Sequence, residues 1–111
     1  MPCYVVSATR QALDPDPLDP SQVVSGNPQV SSYELLDTDT LAVGIWQHTA
    51  GVSTDVEADE IFVVLSGRAT IEVAGGPTLE VGPGDVGVLE AGAETVWTIH
   101  DDLRKIYIVR P

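Results

Sequence analysis

The sequence predicts an all-β domain, a single antiparallel barrel or jelly roll with an extended N-terminal arm. Three observations lead there. From position 31 onward, short runs rich in Val, Ile, Thr and aromatic residues recur at roughly the 8–12-residue spacing of sandwiches and barrels. Turn signals punctuate them: Ser66-Gly67, Gly75-Gly76, Gly82-Pro83-Gly84-Asp85 and Asp101-Asp102. No segment of this region keeps a long 3.6-residue apolar period, so helices are not expected. Many short strands in 111 residues are best accommodated by closure, which protects strand edges.

Taken in order, residues 3–8 are short and β-prone. Asp14-Pro15, Asp16-Pro17 and Asp19-Pro20 follow. Proline lacks the N–H and restricts the residue before it, so neither a helix nor a central strand can run through. Residues 10–30 therefore read as an extended arm. It is either a mobile tail or a segment that drapes Val23-Val24 and Pro28 over the domain or a partner chain. Residues 1–30 form the N-terminal strand and arm, and 31–111 the barrel, one domain overall. Strands are expected over 33–36, 41–48, 60–65, 68–73, 78–81, 86–89, 95–100 and 105–109. Strand side chains alternate between faces. Glu60, Phe62 and Val64 share one, as do Gly44, Trp46 and His48, then Thr95, Trp97 and Ile99, then Lys105, Tyr107 and Val109.

Composition removes several function classes. Five Lys and Arg stand against 17 Asp and Glu, a formal net charge of -12. Nucleic acid and anionic membranes both call for clustered cations, so neither is an expected partner. Cys3 is the single cysteine, which excludes an intrachain disulfide and a cysteine zinc cluster. It lacks a local basic flank, so an activated thiolate is not expected. Two histidines, His48 and His100, exclude a three-His site within one chain. No apolar run reaches the roughly 18 residues of a membrane helix. The first residues lack a basic start and an apolar stretch, and a cytoplasmic location is the expectation.

Four runs carry a resemblance. Gly51-Val-Ser-Thr-Asp-Val-Glu-Ala-Asp-Glu60-Ile-Phe-Val-Val-Leu-Ser-Gly67 resembles the first conserved motif of the cupins. Gly82-Pro-Gly84-Asp85-Val-Gly-Val-Leu-Glu-Ala-Gly92 resembles the second. The runs from Thr95 to Tyr107 and from Gly44 to Gly51 are similar to short cupins related to the ureidoglycine aminohydrolase cupin domain and the ethanolamine-utilisation cupin. The resemblance covers roughly residues 22–110 and implies the cupin barrel, a double-stranded β-helix. It also implies a metal held by a His-x-His pair, the motif glutamate and a later His. Here the paired positions are Ser53 and Asp55, or Thr54 and Val56, and Thr95 takes the later place. Of the usual ligands only Glu60 is retained. Imidazole is the donor suited to iron, copper, nickel and zinc, so no standard metal site is expected. His48 and Glu60 remain weak candidates for a loosely bound divalent ion, aided by Asp55 and Glu57. The run of loop carboxylates at Asp55, Glu57 and Asp59 otherwise reads as solvated surface.

The residues then divide into roles. Glu60, Lys105 and Tyr107 are candidate acid and base groups. Trp46, His48, Phe62, Thr95 and Trp97 are candidate ligand contacts, giving apolar walls with a few placed polar groups. Lys105 would offset the chain's negative charge for an anionic or carbonyl ligand, or else balance Glu60. The leading expectation is a cupin without a tightly held cofactor that binds a small polar organic molecule. One alternative is a metal-dependent isomerase, lyase, amidohydrolase or dioxygenase with a carboxylate-rich site that favours manganese. Another is a structural dimerisation module. A homodimer is expected, through sheet faces or an exchanged N-terminal strand.

Overall fold

The computed structural model describes residues 3–111. Its strands are β1 (Asp14–Pro15), β2 (Val23–Ser25), β3 (Val30–Asp37), β4 (Ala42–His48), β5 (Gly51–Val56), β6 (Asp59–Val73), β7 (Thr78–Val81), β8 (Val86–Leu89) and β9 (Glu94–Arg110). One 3-10 turn, Pro20–Gln22, precedes β2. All pairings are antiparallel, and the sheet curls into a jelly-roll barrel.

Two long strands organise it. β6 has 15 residues and β9 has 17, and they pair along most of their lengths. The sequence predicts two strands in each, split by turns at Ser66-Gly67 and Asp101-Asp102. Neither is a turn that ends a strand. The β6–β9 register slips between Val64 and Ala69 instead, so both strands bend together. Gly67 adopts a φ of 86°, and a Cβ there would overlap the Asp102 carbonyl. Glycine at this position therefore permits a bulge opposite the acidic pair, and a bulge bends strands without breaking them.

Each half of the ribbon acquires different neighbours. Residues 59–66 of β6 and 104–110 of β9 belong to a first layer ordered β1-β3-β4-β9-β6-β8. Residues 69–73 of β6 and 94–99 of β9 belong to a second, ordered β2-β5-β9-β6-β7. Phe62, Val64, Ala69, Ile71, Leu89, Trp97, Ile99 and Leu103 fill the space between the layers. Two glycines make room for large rings opposite them: a Cβ on Gly44 would overlap Tyr107, and one on Gly87 would overlap Phe62.

Two further expectations are corrected. Residues 3–8 form no strand. Tyr4 donates to the Leu35 carbonyl and Arg104 to the Ala8 carbonyl, while the Ser7 carbonyl accepts from the Arg10 and Gln11 N–H groups in a local turn. A segment without a backbone ladder is not a strand, whatever its β propensity. Conversely, Gly51–Val56, where no strand is expected, is a strand wedged between β2 and β9. Its Ser, Thr and Asp hid a period-2 pattern that tertiary pairing uses.

The Asp-Pro arm crosses from one layer to the other. Asp14 and Pro15 pair with Ser32 and Ser31 of β3, and Val23 pairs with Ser53 of β5. Between them Asp19 caps the 3-10 turn by accepting from the Ser21 N–H, while Gln22 accepts from the Asp19 N–H. The Asp19 carboxyl is lowered from the usual range by the Ser21 backbone and hydroxyl. Proline at the start of that turn loses nothing, because its missing N–H would be unpaired there. The arm thus bridges the open side of the barrel.

Candidate functional site

Under the arm lies a half-enclosed cavity of about 220 Å³. The two layers and the arm each contribute walls: Trp46 from β4, Ser53 and Asp55 from β5, Glu60 from β6, Trp97, Lys105 and Tyr107 from β9, and Asp16, Leu18 and Gln22 from the arm. The structure brings Trp46, Glu60, Trp97, Lys105 and Tyr107 to one place, where alternation along each strand leaves the inward face open. The cross-strand pairing Trp46 with Lys105 sets two of them side by side.

Lys105 is the centre of the arrangement. Only 5% of it is exposed. Its ammonium donates to Glu60 Oε2 at 2.6 Å and lies 4.5, 4.6 and 4.9 Å from the ring centroids of Trp46, Trp97 and Phe62. An isolated buried ammonium would be very costly. One carboxylate and three π faces offset that cost here.

Phe62, His48 and Thr95 do not line the cavity; they support it. Phe62 is fully buried beneath Lys105. His48 stacks at 5.4 Å behind Trp46, with both ring nitrogens engaged. Nδ1 donates to the Thr49 carbonyl, so Nε2 accepts from the Ser53 hydroxyl at 2.8 Å. Burial, chiefly, and then the Lys105 charge hold His48 below the usual imidazole range. Thr95 donates to Glu57 Oε2 at 2.6 Å.

Glu57 is the residue that sequence reasoning missed, having been assigned to a solvated acidic loop. It is only 7% exposed. Oε2 also accepts from the Trp97 indole N–H at 3.0 Å. Its backbone is clamped on both sides, the N–H donating to Ala93 and the carbonyl accepting from Gly92. The signal was available: Ser53, Asp55 and Glu57 alternate with Thr54 and the exposed Val56, so period 2 carries Glu57 inward. Asp55 stands at the rim, where burial against the barrel and then the neighbouring Glu57 push its carboxyl up. Asp59, by contrast, faces outward, held below the usual range by the Ala91 N–H and then by its pairing with Arg110. The Tyr107 hydroxyl is pushed up by burial and then by Glu34 and other carboxylates, so it stays protonated and can donate a hydrogen bond.

The family whose description is the EutQ-like cupin domain matches residues 35–107. The chain belongs to this family. The solved structure of a putative ethanolamine utilization protein Q from Salmonella typhimurium is similar at a TM-score of 0.66 and 23% identity, over 75% of this chain and 70% of that one. A Pseudomonas syringae protein of unknown function is similar at 0.79 and 32% identity, over 89% of this chain but 44% of that one. Ectoine synthase from P. lautus shares the fold at 0.66 and 21% identity, over 85% and 72%. No curated protein sequence matches.

Cupins imply a metal, and the donor set of this cupin does not fit a resident transition ion. Both His48 nitrogens are spent, one Glu57 oxygen takes two hydrogen bonds, and the Lys105 ammonium already holds Glu60. Among the described residues no three His, Cys, Asp or Glu side chains are grouped to hold an ion. A typical transition-metal site needs three or four such donors.

Proposed function

We propose that this cupin binds a small polar organic molecule in its barrel cavity, without a resident transition metal. The buried Lys105–Glu60 pair under Trp46, Trp97 and Tyr107 carries the reading. A packed structural core would gain as much from apolar side chains at these positions. Polar groups set into aromatic walls are instead the anatomy of a ligand site. A wider groove of about 720 Å³ runs past Val56, Glu72, Thr78 and Glu94, but contains no buried ion pair. The likeness to the ureidoglycine aminohydrolase cupin domain rests on the sequence runs alone. Any acid–base role would use Tyr107 as donor with Glu60 and Lys105 as the coupled pair. The test is metal analysis of untagged protein, together with an NMR screen of small polar molecules of every charge type. Saturable shifts of the Trp46 and Trp97 indole signals support the reading. Stoichiometric iron, nickel, manganese or zinc would overturn it.

We also propose a homodimer, formed by the outer face of the first layer. Ile61, Val86, Val88 and Ile108 are exposed there, and the pairings of Ile61 with Val88 and with Ile108 make them contiguous. Contiguous exposed apolar patches of this kind mark interaction surfaces.

A further inference from the structure

We infer that the ligand of this cavity is a small organic cation with N–H donors, a primary ammonium or an amidinium, seated on the free oxygen of Glu57. The inference deepens the ligand-binding reading above and rests on it.

The charge inventory comes first. Asp16, Asp55, Glu57 and Glu60 line the cavity, with Lys105 as the one cationic side chain among the lining residues. Lys105 is matched by Glu60 at 2.6 Å. Three carboxylates are left over, so an anionic ligand would meet net repulsion at short range. Of the two roles expected for Lys105, balancing Glu60 fits the company it keeps better than serving an anion.

The hydrogen-bond inventory points the same way. Four donors around the cavity are spent, while the Trp46 indole N–H and the Tyr107 hydroxyl make no bond among the described residues and stay available to an acceptor atom on the same ligand. The Ser53 hydroxyl donates to His48, Ser32 to Asp16, the Gln22 amide to the Thr54 carbonyl, and the Trp97 indole to Glu57. Among the acceptors, Glu57 is more than nine-tenths buried, and its Oε1 has no partner among the described residues. No fully buried side-chain polar atom lacks a partner, so this oxygen opens onto the cavity that Glu57 lines. A buried acceptor held in place by Thr95 and Trp97 calls for a donor, and a charged donor makes the stronger bond. Asp55 at the rim and the ring of Tyr107 would complete the seat, one by charge and the other by its π face. A divalent ion fits less well, because the described carboxylates do not converge on a point. The volume of about 220 Å³ falls below the roughly 300–1,000 Å³ of pockets for drug-sized ligands, which limits the cation to a few heavy atoms.

The test uses the full-length ¹⁵N-labelled protein at neutral pH and matched ionic strength. The probes are n-propylammonium, acetamidinium, propionate, propionamide and Mg²⁺. The two cations should shift the Trp46 and Trp97 indole signals saturably, with propionate and propionamide much weaker. Glu57→Gln is isosteric but turns a donor toward the ligand. It should weaken the cations roughly 10–100-fold, the effect of losing a charge-assisted hydrogen bond. Asp55→Asn, at the rim, should weaken them less and leaves the buried network intact. Propionate or propionamide binding better than the cations overturns the inference and leaves the ligand-binding reading standing. So does unchanged affinity in a folded Glu57→Gln protein. A response to Mg²⁺ alone, or to no probe, overturns both.

Discussion

The Lys105–Glu60 pair decides how much of the cavity serves stability. Removing one partner of a buried pair typically costs about 3–5 kcal/mol, against a total stability of about 5–15 kcal/mol for a domain. The two partners differ here. Without Glu60, the ammonium still lies over three rings; without Lys105, Glu60 is left facing Glu57 and Asp55. Urea denaturation should therefore show Lys105→Met to be the more destabilising single change and Glu60→Gln the milder. The double variant Lys105→Met with Glu60→Leu should recover most of the loss. Asp55 behaves in the opposite sense. Its carboxyl is raised in the fold, so the native state binds more protons than the unfolded one above the ordinary carboxylate range. Stability from this group is accordingly lost as pH rises through that raised value. Asp55→Asn should be slightly more stable than the parent at pH 7, by well under about 1 kcal/mol given solvent screening at the rim, with the gain vanishing in acid. At this scale the sequence was legible wherever alternation held, as for Trp46, Trp97, Lys105 and Tyr107. Glu57 was hidden because its neighbours Asp55 and Asp59 look like solvated loop; alternation from Ser53 points it inward, and the clamp from Gly92 and Ala93 holds it there.

Among the elements, the long strands show why turn signals mislead. Ser66-Gly67 and Asp101-Asp102 have the composition of hairpin turns, yet each lies opposite the other within one continuous ribbon. Local chemistry marks a place where the backbone departs from regular pleating. Whether it reverses or merely bends depends on what pairs across it, which is not encoded locally. Gly67 and Gly75 both have positive φ, but only Gly67 meets neighbouring backbone, while nothing lies within 4 Å of a Cβ on Gly75. Gly75→Ala should cost about 1–2 kcal/mol, the strain of a left-handed alanine. Gly67→Ala must also displace the Asp102 carbonyl, so its loss in melting temperature should be clearly larger. Equal shifts in calorimetry would show that the bend is not held by close backbone approach. β7 and β8 were legible because the Gly-Gly turn reverses the chain into β7, and the Gly-Pro-Gly-Asp turn then separates β7 from β8, which runs on in the same direction along β6.

For the whole molecule, the net charge of -12 and the apolar outer face of the first layer pull in opposite directions. Val88 is 72% exposed, Val86 65% and Ile61 46%, on a face where β6, β8 and β9 present side chains to solvent. Stable interfaces bury at least about 1,000 Å² in total. A flat sheet face can supply half of that from each copy, and these four residues carry no charge that would be desolvated. Repulsion between two acidic chains acts over the Debye length, about 10 Å at 0.1 M salt, and weakens as salt rises. The apolar contribution does not weaken with it. Light scattering should therefore give twice the 11.8 kDa chain mass, with a dimer that tightens on adding salt. Val88→Lys places a charge at the centre of the patch and should yield a monomer whose cavity still binds its probes, since Val88 lies outside the barrel. A monomeric parent at micromolar concentration, or a dimer indifferent to Val88→Lys, would count against this face. Exchange of the N-terminal segment is the competing route, and it would leave the Val88→Lys dimer intact. The bonds from Arg104 to Ala8 and Gln11 hold that segment on its own chain, which is why the sheet face is the stronger expectation.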